Sequence, residues 1–390
     1  MGLWSGPSLS RVEEQPQVEE RATYWAPRVP VNIGTYSDVT VTATSAAQSV
    51  AVRSTADLIA SLASELPIDV YTDERGKRRK VKNTPGSLED PGGDDRGRED
   101  WGYRLLWSWL LAGNAFGDII DRQGAVLNTV DLLNTDDITP SVVDGKPKWF
   151  VNGRDTPTER FAHWRVNPIA GRLLGLSPIE HHATTIGISL ATSRFGRQWF
   201  ADGAHPSGYL TNSEVPLDET IAAEAKQKVL EARGSSEPMV FGKGWGFTGA
   251  QVTPEESQFL ETQGLSEAQC ARIFGPGFAE ILGYETGSKM TYANIVDRRQ
   301  DLLVFSMNRW LRRYDRVLSK FVPPGQWVSL NREAMLEATT LQRYQAHTAS
   351  LPWKRINEIR DDEDLEPIEG GDQLSTSPAT PAPTPAGSNE

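Results

Sequence analysis

Few side chains in this sequence sit at the spacings that chemistry requires. The glycine-rich stretch Gly242–Gly249 invites a phosphate-binding reading, because successive backbone N–H groups in a glycine turn can cradle an anion. The nucleotide-loop spacing G-x-x-x-x-G-K-[S/T] is missing, however, and Gly287-Ser288-Lys289 carries its elements in the wrong order. A glycine-rich hairpin that exposes Lys243 and Trp245 is the better reading. The histidines are His163, His181, His182, His205 and His347. Adjacent His181 and His182 point about 100° apart on a helix and cannot chelate one ion together, and no H-x-x-x-H pair occurs. His205 precedes Pro206 and reads as a turn residue. Asp94-Asp95 and Asp136-Asp137 have the chemistry to hold Mg²⁺, but their Gly, Thr and Pro neighbours fit solvated turns. No G-x-S-x-G elbow occurs. Cys270 is the single cysteine, and its neighbours Ala268, Ala271 and Ile273 predict a buried, inert thiol. These residues give no positive support to an enzyme and imply no catalytic residue, metal or cofactor.

The elements that carry them alternate between two regimes. Residues 1–49 are rich in Ser, Thr, Pro and Val and read as an extended or partly disordered arm. An amphipathic helix follows over Val52–Leu66, then a strand at Ile68–Tyr71, the turn Asp73–Gly76 and the basic run Lys77–Lys82, a hairpin with a charged tip. After a Pro/Gly loop, the spacing of Trp101, Leu105, Trp109 and Ala112 predicts a helix over Glu99–Ala112, ended by Gly113-Asn114 in a left-handed cap. Residues 115–166 read as a β-meander of five strands. From Ser177, an N-cap with Pro178 at the first helical position and Glu180 at the third, the pattern turns to long helices. One helix runs to Phe200, a second over Pro254–Phe274 and a third over Thr291–Phe321, with a small α/β insert at 209–252 between the first two. Helical stretches at Arg332–His347 and Pro352–Ile359 precede a Ser/Thr/Pro/Ala tail.

The chain has 390 residues, with 40 basic against 52 acidic side chains and a net charge of −12. Eight of those acids and no base lie in residues 361–390, so residues 1–360 carry 40 against 44, or −4. That balance argues against a protein that grips nucleic acid by its overall charge. The third long helix has the opposite sign. Between Asp297 and Lys320 seven bases face three acids, a local +4, which suits a solvated face or salt bridges to a neighbouring subunit better than a DNA contact. No signal peptide and no membrane-length apolar run is seen. The chain reads as soluble, in a reducing compartment.

Short motifs in a fixed order carry a resemblance. They are Leu110-Leu111-Ala112-Gly113-Asn114-Ala115-Phe116, Gly175-Leu176-Ser177-Pro178-Ile179, and Asp202-Gly203-Ala204-His205-Pro206-Ser207-Gly208-Tyr209-Leu210. Then come Gln258-Phe259-Leu260-Glu261, Ala271-Arg272-Ile273-Phe274-Gly275 with Leu282-Gly283, and Arg355-Ile356-Asn357-Glu358-Ile359-Arg360 with Gly370-Gly371-Asp372. Over residues 45–372 the chain resembles the portal proteins of long-tailed double-stranded DNA phages. It departs from them at Pro276-Gly277-Phe278, where the family usually has a Val-Pro-Pro-like step.

The resemblance implies an α+β portal fold: a mixed α/β wing, two long stem helices, a small α/β clip and a helical crown. The wing would be 50–175, the first stem helix 176–208, the clip 209–252 and the second stem helix 253–282. A tunnel loop at 283–290, a long wing helix and wing return at 291–331, a crown at 332–372 and a disordered tail at 373–390 would complete it. It also implies a homo-oligomeric ring, usually of twelve subunits, at one vertex of the virion capsid, assembled in the host cytoplasm. Its partners would be the terminase large subunit, a head–tail adaptor, the major capsid protein with or without scaffold, and double-stranded DNA passing through in weak contact, with no membrane. Glu285 and Lys289 would then face DNA from the tunnel loop, and Lys243 and Trp245 would present the clip to motor and adaptor. The rival readings are a minor head protein and, less well supported, a DNA-processing enzyme.

Overall fold

A computed structural model describes residues 31–33, 39–143, 146–201, 208–214, 218–235, 243–249, 256–284, 298–336, 340–363 and 365–374. It divides into two compact units, Met1–Asn331 and Arg332–Glu390.

The first unit starts with β1 (Val31–Ile33) paired antiparallel to β2 (Val39–Val41), followed by the helical turn α1 (Ala43–Ala46). Thr42 caps that turn, accepting the Ser45 N–H at 3.0 Å while its own N–H donates to Ser45 Oγ. Val39, Val41 and Ala46 are buried, so the end of the arm belongs to the core. Next come α2 (Val50–Glu65), β3 (Ile68–Glu74), β4 (Lys77–Lys80) and α3 (Gly97–Ala112). Helices α2 and α3 pack face to face. Ala51, Ala56, Ala60 and Ala63 are buried on α2, and Trp101, Leu105 and Trp109 are buried on α3. Both indoles keep their N–H groups satisfied: Trp101 donates to the Val130 carbonyl at 2.8 Å and Trp109 to that of Trp164 at 2.9 Å.

The expected meander is two sheets rather than one. Strands β5 (Asn114–Gln123), β6 (Val126–Leu133), β7 (Ile138–Val143), β8 (Lys146–Val151), β9 (Arg154–Thr156) and β10 (Phe161–Arg165) sort into β10-β5-β6 and β7-β8-β9. Strand β9 is three residues long, too short for an alternation pattern to reveal. Phe116, Ile138, Trp149 and Phe161 fill the core between these sheets.

The helix from Ser177 is distorted after one turn, giving α4 (Pro178–His181) and α5 (Ala183–Ala201). His182 Nδ1 contacts the Pro178 carbonyl at 2.9 Å, the same oxygen that the His182 backbone N–H uses. That local competition perturbs the turn, and hydrogen bonding resumes with Ile186 N–H to the His182 carbonyl. The insert holds β11 (Gly208–Asn212), α6 (Glu219–Ser235) and β12 (Trp245–Gly249). The expected strand at Met239–Phe241 lies outside the described residues. Helix α7 (Glu256–Arg272) packs on α5 and on α2, and the turn α8 (Phe278–Ile281) follows.

The third long helix is described from residue 298. It contains a π-helical segment, Leu302–Met307, before α9 (Asn308–Leu318). In the widened turn, buried Ser306 donates its hydroxyl to the Pro276 carbonyl, a contact 30 residues away that local periodicity cannot announce. Leu303, Met307, Trp310, Tyr314, Val317 and Phe321 are all buried, as their spacing predicts. Strand β13 (Gln326–Leu330) then returns to pair with β3, making the order β13-β3-β4 where sequence indicated only a hairpin.

The second unit contains α10 (Thr340–Ser350) and α11 (Ile356–Asp362), followed by a loop through Leu374. Among the described residues no helix is long and apolar enough to cross a membrane.

Candidate functional site

The residues singled out by type do not converge on one centre. Among the described residues no group of three or more His, Cys, Asp and Glu is placed to hold a metal ion. Cys270 is fully buried, and burial pushes its thiol up to about 11 despite the Ser189 and Ser49 hydroxyls beside it. The His181 and His182 rings stand edge to face, 5.1 Å apart. His205 lies outside the described residues, as do Glu285 and Lys289.

Lys243 and Trp245 lie together at the open end of the β11–β12 ladder. The ladder is antiparallel, with Gly208 opposite Gly249 at one end and Asn212 opposite Trp245 at the other. Beyond Asn212, the Ser213 N–H donates to the Gly244 carbonyl at 2.9 Å, and Lys243 Nζ meets Glu214 Oε1 at 3.3 Å. The Lys243 side chain is 88 % exposed, so the pair is weak and the ammonium is presented to solvent. Trp245 is half-buried. The two strands thus enclose α6 in sequence, and β12 pairs with β11.

Two of the motifs behind the resemblance meet in space. Asn114, buried at the end of α3, uses its whole amide. Its Nδ2 donates to the Ala112 and Gly175 carbonyls at 2.9 and 3.0 Å, and its Oδ1 accepts the Gly175 N–H at 2.7 Å. His163 Nε2 lies 3.0 Å from the same oxygen; since that oxygen can only accept, His163 donates as the neutral Nε2–H tautomer. The ring stacks on Phe116, and burial, with the Arg165 charge second, lowers its pKa to about 4. Ser177 Oγ donates to the Leu111 carbonyl at 2.7 Å while accepting the Glu180 N–H at 3.2 Å. Gly113 caps α3 at φ +70°, and a Cβ there would stand 2.5 Å from the Leu176 carbonyl oxygen. Two stretches 60 residues apart are thereby stapled into one junction.

The last motif is also a latch. Asn357 Oδ1 accepts the Ile368 N–H at 2.9 Å, its Nδ2 donates to the Ile368 carbonyl and to Asp372 Oδ1 at 3.1 Å, and its own N–H donates to the Gly371 carbonyl at 3.0 Å. Arg360 Nε holds the Glu366 carbonyl at 2.7 Å. The Gly371 Cα lies so close that a Cβ would stand 2.2 Å from Asn357 Oδ1.

These are positions that hold an architecture. Residues 50–364 match the model for phage portal proteins. The chain belongs to the phage portal protein family. A probable portal protein of Streptomyces phage phiC31 is 28 % identical over 413 residues, covering 95 % of this chain and 87 % of that one. Among solved structures, the chain is similar to an HK97-family phage portal protein from Corynebacterium diphtheriae, with a TM-score of 0.57, 13 % identity and coverage of 80 % of this chain and 99 % of that one. It is also similar to a chain in the neck of a native gene transfer agent particle computed with C12 symmetry, at a TM-score of 0.53, 17 % identity and coverage of 89 % and 98 %. The α+β fold is therefore the portal fold. At the departure Pro276-Gly277-Phe278, Gly277 is left-handed, φ +86°, and caps the start of α8.

Proposed function

We propose that this chain is the subunit of a ring, seated at one vertex of a phage capsid, through which double-stranded DNA is packaged and later ejected. The observation that carries this reading is an insert of β11, α6 and β12, closed on itself by the β11–β12 ladder, between two helices, α5 and α7, that pack on each other. In the portal reading α5 and α7 are the stem, the insert is the clip, residues 50–175 with 291–331 are the wing, and 332–372 are the crown. The twelvefold neck containing a similar chain supports a ring.

Passage of DNA calls for weak, uniform contact. Duplex DNA carries a charge about every 1.7 Å of axis, so a densely basic wall would hold it and stall transport. A nearly neutral body with few mobile cations suits sliding. Lys289, with Glu285 in the same stretch of sequence, supplies such transient contacts from the loop 283–290, and the exposed Lys243 with Trp245 docks the terminase large subunit during packaging and the head–tail adaptor afterward. No catalytic step is assigned to the chain.

Negative-stain images of the purified full chain are expected to show rings with a central hole, and the protein alone to hydrolyse no ATP. A persistent monomer, or ATP hydrolysis by the isolated protein, overturns the reading.

A further inference from the structure

The third long helix exposes a ridge whose chemistry the fold leaves unanswered. From Phe305 onward, Phe305, Arg309, Arg312 and Arg316, with Lys320 in the turn that follows α9, are solvent-exposed at spacings of 4, 3, 4 and 4, over roughly 22 Å. Phe305 is 65 % exposed and Val304 beside it 50 %. The opposite face is anchored by buried Trp310, Leu311, Tyr314 and Val317, so the ridge is rigid. Among the described residues no carboxylate forms an ion pair with its charges. Arg309 donates to the Asn167 side-chain oxygen at 2.6 Å and the adjacent Arg313 lies 3.4 Å from the Arg165 carbonyl. Among the described residues Arg312, Arg316 and Lys320 have no ion-pair partner. Partial burial, then the neighbouring guanidinium, lowers the pKa of Arg309 and of Arg313, as crowded like charges must.

The same chain carries a segment of complementary character. In Asp361–Glu369, Asp362 is held by Lys354 and Glu363 by Arg343 and His347, whereas Asp361, Glu366 and Glu369 have no cation partner among the described residues. Leu365 and Ile368, 52 % and 45 % exposed, are interleaved with them. A ring of identical subunits needs a head-to-tail contact between two unlike surfaces, and opposite charge both fixes its register and discourages like-to-like pairing. Exposed Phe and Val on the ridge favour a protein surface over a phosphate backbone, which offers nothing to an aromatic anchor.

We infer that the Phe305–Lys320 ridge of one subunit docks the acidic, apolar-studded Asp361–Glu369 segment of a second copy. This rests on the ring reading and specifies its contact. The test measures the mass distribution of the full-length protein against concentration and salt. Wild type is expected to form rings that dissociate as salt rises. Arg312→Glu/Arg316→Glu is expected to raise the concentration for half-assembly by at least about tenfold, with thermal unfolding of the subunit unchanged. Asp361→Lys/Glu366→Lys is expected to do the same, and the four substitutions together to restore assembly. Arg312→Cys/Glu366→Cys, oxidised, is expected to give a ladder of covalent multimers on denaturing gels, Cys270 being buried. Rings that survive either charge reversal, failure of the fourfold variant to reassemble, or a disulfide formed only within one chain overturns the inference and leaves the ring reading standing. So does a reversal that abolishes duplex DNA binding with rings intact. A wild-type chain that never assembles overturns both.

Discussion

His163 shows how one half-buried side chain makes the junction sensitive to acid. Its folded-state pKa of about 4 lies below the value near 6.5 of an unfolded chain. Between those values the unfolded chain binds a proton that the native state refuses. Stability therefore falls as pH drops from about 6.5 to about 4 and levels off below, while above 6.5 the group contributes no pH dependence. From pH 7.5 to 5 the loss from this residue is about 2 kcal/mol. Denaturant unfolding of wild type and His163→Gln at both pH values checks it. The variant keeps a donor for Asn114 and is expected to lose about 2 kcal/mol less stability across that interval; equal losses would show that His163 does not titrate as its burial requires.

At the scale of elements, the family's short motifs prove to be joints. Asn114 ties the end of α3 to Gly175, and Asn357 ties α11 to the loop 365–372. Asn357→Ala removes the side-chain partners of both polar groups of Ile368, a cost of about 1–2 kcal/mol in local opening. Proteolysis within 365–372 is expected to accelerate about five- to thirtyfold, read from time-resolved limited digestion, with the unfolding of the first unit unmoved. Unchanged cleavage would mean that the loop is held by other contacts.

For the whole molecule, the distribution of charge matters more than its sum. Two thirds of the net −12 sits in the last thirty residues, and the rest of the chain is −4. The total thus says little about the surface DNA would pass. If Lys289 supplies transient phosphate contacts, Lys289→Ala in assembled particles lowers packaging yield or DNA retention while ring formation is kept. Unchanged yield and retention would remove the motive for assigning that loop to DNA.

The amino-acid sequence by itself determined the helices whose apolar spacing is strong: the Trp101–Ala112 face, the Leu303–Phe321 face, the Ser177 cap and the Gly113 stop. Each depends on contacts within a turn or two, or on one face being buried, and such signals are local. The order of motifs also sufficed to point to the family. Only the tertiary structure decided that β13 pairs with β3, that the meander splits into two sheets, and that the turn around Ser306 widens over Pro276. Those outcomes depend on partners 30 to 260 residues away, which no periodicity encodes. Likewise the basic residues near 310 were legible as a cluster, but only the packed helix showed which of them share an exposed ridge with Phe305, because burial of the opposite face sets that orientation.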